Sequence, residues 1–194
     1  MSEGVGRRER RKAQTRKALA DAALRLFLER GYDQVGVKDV AEAADVAVST
    51  LFAYFPSKEA LVFDLDDDLE AEVVAAVRDR DPGQSIPYAL REHILRRAIE
   101  VAAFPHTAAL TRMVESTPAL RDYARHMWLR HEAALARALA DETGAPQDDI
   151  TCAAFARFVL EAAHVIHGHP APEQAATAIF NLLEHGWTTA HPGT

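Results

Sequence analysis

Apolar residues recur at three- and four-residue spacing along most of the chain, which is the pattern of amphipathic α-helices. The first such stretch carries Leu19, Ala23, Leu26 and Phe27 and stops at Gly31, a residue type that commonly closes helices. Alanine, leucine, glutamate and arginine are abundant, and the sequence has no long run of β-branched residues. The pattern therefore predicts an all-α fold.

Proline and glycine signals divide this pattern into about nine helices, and residues 1–6 are expected to be disordered. A long fourth helix is predicted to begin at Ser57, after Pro56 has stopped the third. The predicted helices are Arg7–Arg30, Val37–Ala44, Val48–Tyr54, Ser57–Arg80, Ile86–Phe104, His106–Glu115, Pro118–Glu142, Asp148–His167 and Pro172–Ala190.

The second and third helices are short and separated by Asp45–Ala47, which is the spacing of a helix-turn-helix. In such a motif the second helix of the pair enters the major groove of DNA. The residues expected to pack between the helices are Val37, Val40, Ala41, Val46, Leu51 and Phe55. Those expected to face outward are Val48, Ser49, Phe52 and Ala53. An exposed phenylalanine at position 52 would suit contact with thymine methyl groups.

Charge is distributed unevenly around this motif. The protein has a net charge of −7, yet residues 1–58 hold 11 Lys/Arg against 8 Asp/Glu, and the remainder holds 11 against 21. The asymmetry favours a basic binding module on an acidic body over an unevenly charged solvated surface. The basic run Arg7–Lys17 is interpreted as an arm that contacts DNA, the alternative being a frayed helix start.

The stretch from Thr15 to Val62 resembles the DNA-binding domain of TetR-family repressors. The segments AALRLFLERGYD, DVAEAADVAVSTLFAYF and YFPSKEAL carry the resemblance. It implies that Val48–Tyr54 is the recognition helix and that Thr50, Tyr54 and Lys58 contact phosphates. It also implies a DNA-binding domain over residues 1–56 and a larger helical effector-binding and dimerisation domain over residues 57–194.

Four positions depart from the family pattern: Gly36, Asp45, Ala47 and Phe52 stand where a Thr cap, a turn glycine, a Ser cap and a Tyr are common. The resemblance therefore does not imply phosphate contacts at positions 36, 47 and 52. The candidate DNA-binding residues are Lys12, Arg16, Val37, Lys38, Val48, Ser49, Thr50, Phe52, Ala53, Tyr54 and Lys58.

For the larger domain, the resemblance implies that the last two helices pair with those of a second copy, the alternative being burial within their own subunit. A cavity between helices five to eight would be mainly apolar, although such side chains are commonly plain core. The candidate effector-binding residues are Phe104, Met113, Met127, Trp128, His131, Phe155 and Phe158. They suggest a largely apolar small molecule.

Other classes of function find little support. The chain has no Gly-rich phosphate loop and no nucleophile elbow, so neither an enzyme nor a cofactor is expected. His164, His167 and His169 could share a metal, but histidines at a helix C-terminus are favoured by the helix dipole, so no metal site is expected. A single Cys152, no apolar leader and no long apolar run predict a cytoplasmic protein without a membrane span.

The sequence thus predicts a dimeric repressor that binds a palindromic double-stranded DNA operator and is released by a small effector. The effector is expected to move the Ser57–Arg80 helix and so change the spacing of the two recognition helices. Two alternatives are a non-specific architectural DNA-binding protein, which leaves the bulky acidic domain unexplained, and a purely protein-binding helical adaptor.

Overall fold

The computed structural model describes residues 3–64 and 66–190, and the regular structure in this part of the chain is entirely helical. Two short 3-10 turns, Tyr32–Gln34 and Glu59–Leu61, accompany nine α-helices, which confirms the predicted all-α fold. The helices are α1 (Glu3–Arg30), α2 (Val37–Ala43), α3 (Val48–Tyr54), α4 (Asp66–Arg78), α5 (Ile86–Ala103), α6 (Thr107–Ser116), α7 (Pro118–Thr143), α8 (Ile150–His167) and α9 (Pro172–Ala190).

The described chain divides into two compact units. Residues 3–64 group with residues 108–123 in the first unit, and residues 66–107 group with residues 124–190 in the second. The first unit therefore extends past the predicted boundary at residue 56, because Ala60 and Leu61 are buried in its core together with Leu120 from the first turn of α7. The assignment of separate functions to residues 1–56 and 57–194 stays a prediction.

The core of the first unit is formed by α1, α2 and α3. Leu19, Ala23 and Phe27 of α1 are buried against Leu51 and Phe55, as the apolar periodicity predicts. The Gly31 N–H donates to the carbonyl of Phe27 at 3.0 Å and the residue has φ of +87°, a conformation that favours glycine. The predicted wedge is confirmed, with Val40, Ala41, Leu51 and Phe55 buried and Val37 and Val46 half-buried.

Two predicted helix starts in this unit are wrong. The first helix begins at Glu3, so disorder is not observed over residues 3–6; residues 1 and 2 lie outside the described chain. The predicted Ser57–Arg80 helix is interrupted, since residues 59–61 form a 3-10 turn and α4 begins only at Asp66. Burial of Ala60 and Leu61 in the first unit sets the path of this segment, and the exposed carboxylate of Asp68 is favourable in the first turn of the new helix.

The core of the second unit is formed by α4, α5, α8, α9 and the later turns of α7. Its largest fully buried side chains include Leu90, Leu135, Leu139 and Ile166. Among the described helices, α8 is long and apolar enough to cross a membrane by length and composition. The inner face of α8 lies in this core, where Cys152 is 1% exposed, and a buried core helix passes the same composition test.

Candidate nucleic-acid interface

A tight turn sets the angle between α2 and α3. The N–H of Val46 donates to the Ala41 carbonyl at 3.0 Å, and Asp45 adopts φ of +54°, the left-handed conformation that favours glycine. Aspartate tolerates this region better than most residues with a side chain, so the turn forms without the common glycine. The turn brings α2 and α3 against α1 through one small core.

The side chains of α3 divide between the core and the surface. Leu51 is fully buried, whereas Phe52 is 48% exposed and Ser49 and Ala53 are also exposed. Val48 is only half-buried against the core of the first unit, so its side chain does not face outward as fully as the sequence pattern predicts. Thr50, Tyr54 and Val37 are half-buried as well.

The two helices are capped differently. At the start of α2 the Gly36 N–H donates to Oδ2 of Asp39 at 2.7 Å, which is one of the two bonds of a capping box. Gly36 has no side chain to make the other bond, to the first N–H groups of the helix. Ala47 occupies the N-cap of α3 with φ of −70° and ψ of 149°, and no side chain bonds the first N–H groups of that helix. Position 47, where the family pattern has a serine hydroxyl, therefore leaves α3 without a side-chain N-cap.

Two of the candidate DNA-binding cations are available to a ligand. Lys12 on α1 and Lys38 on α2 are both exposed, and neither ammonium group makes an ion pair or hydrogen bond within the described residues. The arginines Arg8, Arg10 and Arg11 add further exposed positive charge along the same end of α1. The basic arm is thus a continuous part of a helix.

Arg16, by contrast, is engaged within the first unit. Its Nε donates to Oδ1 of Asp64 at 2.8 Å, another guanidinium nitrogen donates to the Asp64 carbonyl, and the guanidinium carbon lies 5.5 Å from the centre of the Phe55 ring. These contacts bind α1 to the segment that precedes α4. Sequence reasoning assigned Arg16 to DNA because nothing in the local pattern indicates a partner 48 residues away.

Lys58 is also engaged. Its Nζ donates to the carbonyl of Tyr32 at 2.6 Å and lies 3.9 Å from the centre of the Tyr32 ring, while Tyr32 Oη donates to Oε1 of Glu59 at 2.8 Å. Burial lowers the pKa of Lys58, opposed by the carboxylates of Asp33, Glu59 and Asp39. Lys58 therefore stabilises the contact between the two 3-10 turns rather than standing in the first turn of a long helix. The phosphate contact that the resemblance implies for Lys58 would compete with this internal hydrogen bond for the same ammonium group.

The candidate effector-binding residues differ in burial and are divided between the two units. Met127, His131 and Phe155 are buried in the second unit, but Phe104, Trp128 and Phe158 are 42%, 39% and 56% exposed. Met113 belongs to the first unit, where it packs against the core that contains Leu120. Helical spacing locates a residue on its own helix but does not specify which helix it faces, so an effector-binding role for these residues stays a prediction.

Open clefts occur within each unit. One of about 440 Å³ in the first unit is lined by Phe27, Tyr32, Arg112 and Met113 among others. One of about 360 Å³ in the second unit is lined by Glu72, Arg80, His93 and Arg96 among others. Among the described residues no group of three histidine, cysteine, aspartate or glutamate side chains could hold a metal ion, and His167 Nδ1 lies 2.5 Å from the carbonyl of Ala163 on its own helix.

Comparisons with known proteins address the identity of the helix-turn-helix. Residues 19–65 match the family model described as bacterial regulatory proteins, tetR family. Over 43 residues, covering 22% of this chain and 20% of that protein, the chain is 56% identical to the HTH-type transcriptional repressor KstR of Rhodococcus jostii strain RHA1. The residues matched by the family model include the turn and α3.

The similarity extends beyond this segment. The HTH-type transcriptional regulator TcmR of Streptomyces glaucescens is 32% identical over 154 residues, which cover 75% of this chain and 68% of that protein. The crystal structure of the TetR family repressor AlkX from Dietzia sp. strain DQ12-45-1b has the same fold, with a TM-score of 0.60 and 20% identity over 89% of this chain and 97% of that chain. The chain therefore belongs to the TetR family and is a DNA-binding transcriptional regulator, not an enzyme.

Proposed function

We propose that the protein is a homodimeric repressor that binds a palindromic DNA operator and is released from it by a small, largely apolar effector. The observation that carries the proposal is the exposed outer face of α3, which presents Ser49, Phe52 and Ala53, while the preceding helix α2 carries the free ammonium group of Lys38. An exposed apolar patch and an unpaired cation in one helix-turn-helix fit a partner that combines base edges with phosphates.

Each candidate residue has a proposed role at this surface. Val48, Ser49, Phe52 and Ala53 contact bases, because they lie on the outer face or the edge of α3. The remaining candidates contact the sugar-phosphate backbone from α1, α2 and α3: Lys12, Val37, Lys38, Thr50 and Tyr54. Arg16 and Lys58 act indirectly, since their cationic groups hold Asp64 and Tyr32 in the first unit.

Dimerisation is proposed through α8 and α9. Both helices bury one face in the second unit, yet Phe158 and Val165 of α8 and Leu182 of α9 are 56%, 53% and 75% exposed. Large apolar side chains exposed on neighbouring helices mark protein interfaces. A two-fold dimer also suits sequence-specific DNA recognition. One seven-residue helix contacts few bases, and the two such helices of a dimer contact two half-sites and so twice as many bases.

The effector is proposed to bind inside the second unit, near the buried side chains of Met127, His131 and Phe155. Two apolar side chains and one imidazole fit a small molecule with limited hydrogen-bonding capacity. Release from DNA requires the effector to prefer one conformation of the dimer by several kcal/mol, about 5.5 for a shift from 1:99 to 99:1. The proposed location is the cytoplasm, where the operator DNA is.

Selection of bound fragments from a random pool of double-stranded DNA tests the proposal. A two-fold symmetric consensus with half-sites about one helical turn apart is expected. Recovery of fragments without a consensus would favour the non-specific architectural alternative, and recovery of nothing above background would contradict DNA binding by the isolated protein. Apolar compounds that dissociate the selected complex would then define the effector class.

A further inference from the structure

The outer face of α3 lacks the side chains that usually distinguish bases by hydrogen bonding. The seven residues of this helix are VSTLFAY, with no arginine, lysine, asparagine, glutamine or carboxylate. Bidentate recognition of guanine or adenine in the major groove requires such side chains. The hydroxyl of Ser49 is exposed, and a serine hydroxyl accepts or donates and therefore discriminates weakly.

What α3 does present is an apolar surface. Phe52 is 48% exposed although Leu51 beside it is fully buried, so the phenyl ring is placed outward by the helical register and not by a lack of room in the core. Ala53 extends this surface, and the half-buried side chain of Val48 forms its edge. Within the described residues, no other aromatic ring and no cation packs against the ring of Phe52.

The apolar group that a major groove offers to such a surface is the C5 methyl of thymine. We infer that the operator bases under α3 are specified by thymine methyl groups, with Phe52 as the side chain that contacts them. The inference rests on the proposed function and adds the chemical group that the recognition helix reads. Each half-site contains at least one thymine whose methyl group, and not its O4 acceptor, determines affinity.

Base analogues in the selected operator separate the methyl group from the hydrogen-bonding groups of thymine. Replacing a contacted thymine by deoxyuridine removes the methyl group alone. Burial of one methyl-sized group corresponds to a factor of about four in Kd, so a loss of roughly three- to fivefold is expected at each contacted position. At the same position 5-methylcytosine, which keeps the methyl group, binds more tightly than cytosine.

Protein variants identify the side chain that reads the methyl group. With Phe52→Ala the loss caused by deoxyuridine falls below about twofold, because the two deletions remove the same contact. Ser49→Ala is the matched control on the same face, and it retains the full deoxyuridine effect. Phe52 is exposed, so both variants are expected to fold, which circular dichroism checks.

Three results are distinguishable. Coupling between deoxyuridine and Phe52→Ala, with no coupling to Ser49→Ala, supports the inference. Tight binding to a symmetric operator without any deoxyuridine effect, or with an effect that Phe52→Ala leaves unchanged, overturns the inference and leaves the proposed function standing. Failure to select any consensus overturns the proposed function and this inference with it.

Discussion

At the scale of single residues, the recognition helix begins at a position that provides no cap. Ala47 has the extended conformation of an N-cap, and its carbonyl accepts from the N–H of Thr50 at 2.9 Å, but it offers no side-chain oxygen to the first turn of α3. At the start of α2 Gly36 likewise offers no side-chain oxygen, but the carboxylate of Asp39 accepts from the Gly36 N–H and so supplies one bond of a capping box. For α3 no such substitute is present among the described residues.

Ala47→Ser is therefore expected to raise the free energy of unfolding by about 1 kcal/mol, because the serine hydroxyl accepts a hydrogen bond from the start of α3. Urea denaturation measures the change. Ala53→Ser, which places the same hydroxyl on the exposed side of the same helix, is the control and should change stability by less than about 0.5 kcal/mol. Equal effects of the two substitutions would contradict a capping role.

Substitutions of Lys38, which lies in α2, and of Lys58, which follows α3, are expected to have different effects on DNA binding and on stability. Lys38 has a free ammonium group, so Lys38→Ala should weaken binding to all DNA sequences alike and lower the slope of log K against log salt by about 1. The Lys58 ammonium donates to the Tyr32 carbonyl, so Lys58→Ala should lower stability by about 1 kcal/mol, with little change in the slope. A lower slope for Lys58→Ala, with an unchanged slope for Lys38→Ala, would instead identify Lys58 as the phosphate contact.

His93 gives the second unit a dependence on pH. It is 7% exposed on α5, its Nδ1 accepts from an Nη of Arg96 at 3.0 Å, and burial, followed by the charges of Arg96 and Arg97, lowers its pKa to about 4. Glu100 on the same helix opposes this shift, and Glu72 and Arg80 of neighbouring segments line the same cleft. The folded protein thus holds the neutral imidazole.

The sign of the pH dependence follows from this lowered pKa. The unfolded chain binds a proton at His93 near pH 6.5 and the folded chain near pH 4, so the stability contributed by neutral His93 is present above pH 6.5 and lost as the pH falls to about 4. Relative to His93→Gln, the native protein should lose on the order of 3 kcal/mol between pH 7 and pH 4. Parallel pH profiles of the two proteins would refute the prediction.

At the scale of elements, the segment between α3 and α4 is where local pattern and structure differ. Its apolar residues continue the periodicity of a helix, but Ala60 and Leu61 are buried in the first unit and the chain turns before α4 begins at Asp66. Phe63 stacks on Tyr123 with ring centres 5.2 Å apart, and Asp64 receives Arg16 of α1. Contacts with residues distant in sequence therefore hold this segment in a path that a regular helix would not follow.

Arg16 and Asp64 should be energetically coupled. Arg16→Met and Asp64→Asn are each expected to lower stability, and a double-mutant cycle in urea should give a coupling of about 0.5–1 kcal/mol, since both side chains remain partly exposed. If Arg16 contacts phosphate instead, Asp64→Asn would free its guanidinium and increase DNA affinity, and the coupling in stability would be close to zero. Titration of operator DNA with each variant separates the two roles.

At the scale of the whole molecule, the large apolar side chains exposed on α8 and α9 need a partner. Phe158 and Leu182 stand outside the buried core that their own helices build, and 75% exposure of Leu182 is unusual for a leucine on a core helix. The proposed partner is the same pair of helices in a second copy, which would give the two-fold symmetry that a palindromic operator matches.

Phe158→Glu and Leu182→Glu are expected to raise the Kd of dimerisation by at least about 100-fold, because each places a charge in an apolar interface. Analytical ultracentrifugation measures the change, and loss of binding to the symmetric operator should accompany it. Ile99→Glu, at a position 52% exposed on α5, is the matched control and should leave the dimer intact. Equal effects of all three substitutions would place the interface elsewhere.

The sequence by itself determined the helical class, most helix boundaries and the location of the helix-turn-helix, because amphipathic periodicity, glycine, proline and capping residues act over a few neighbouring positions. It also identified the outward position of Phe52, which depends only on helical register. Only the tertiary structure decided the partners of Arg16 and Lys58, the break before Asp66 and the assignment of Met113 and Phe155 to different cores. These features depend on contacts between residues far apart in the chain, and no local pattern specifies which distant side chain a charge or an apolar group will meet.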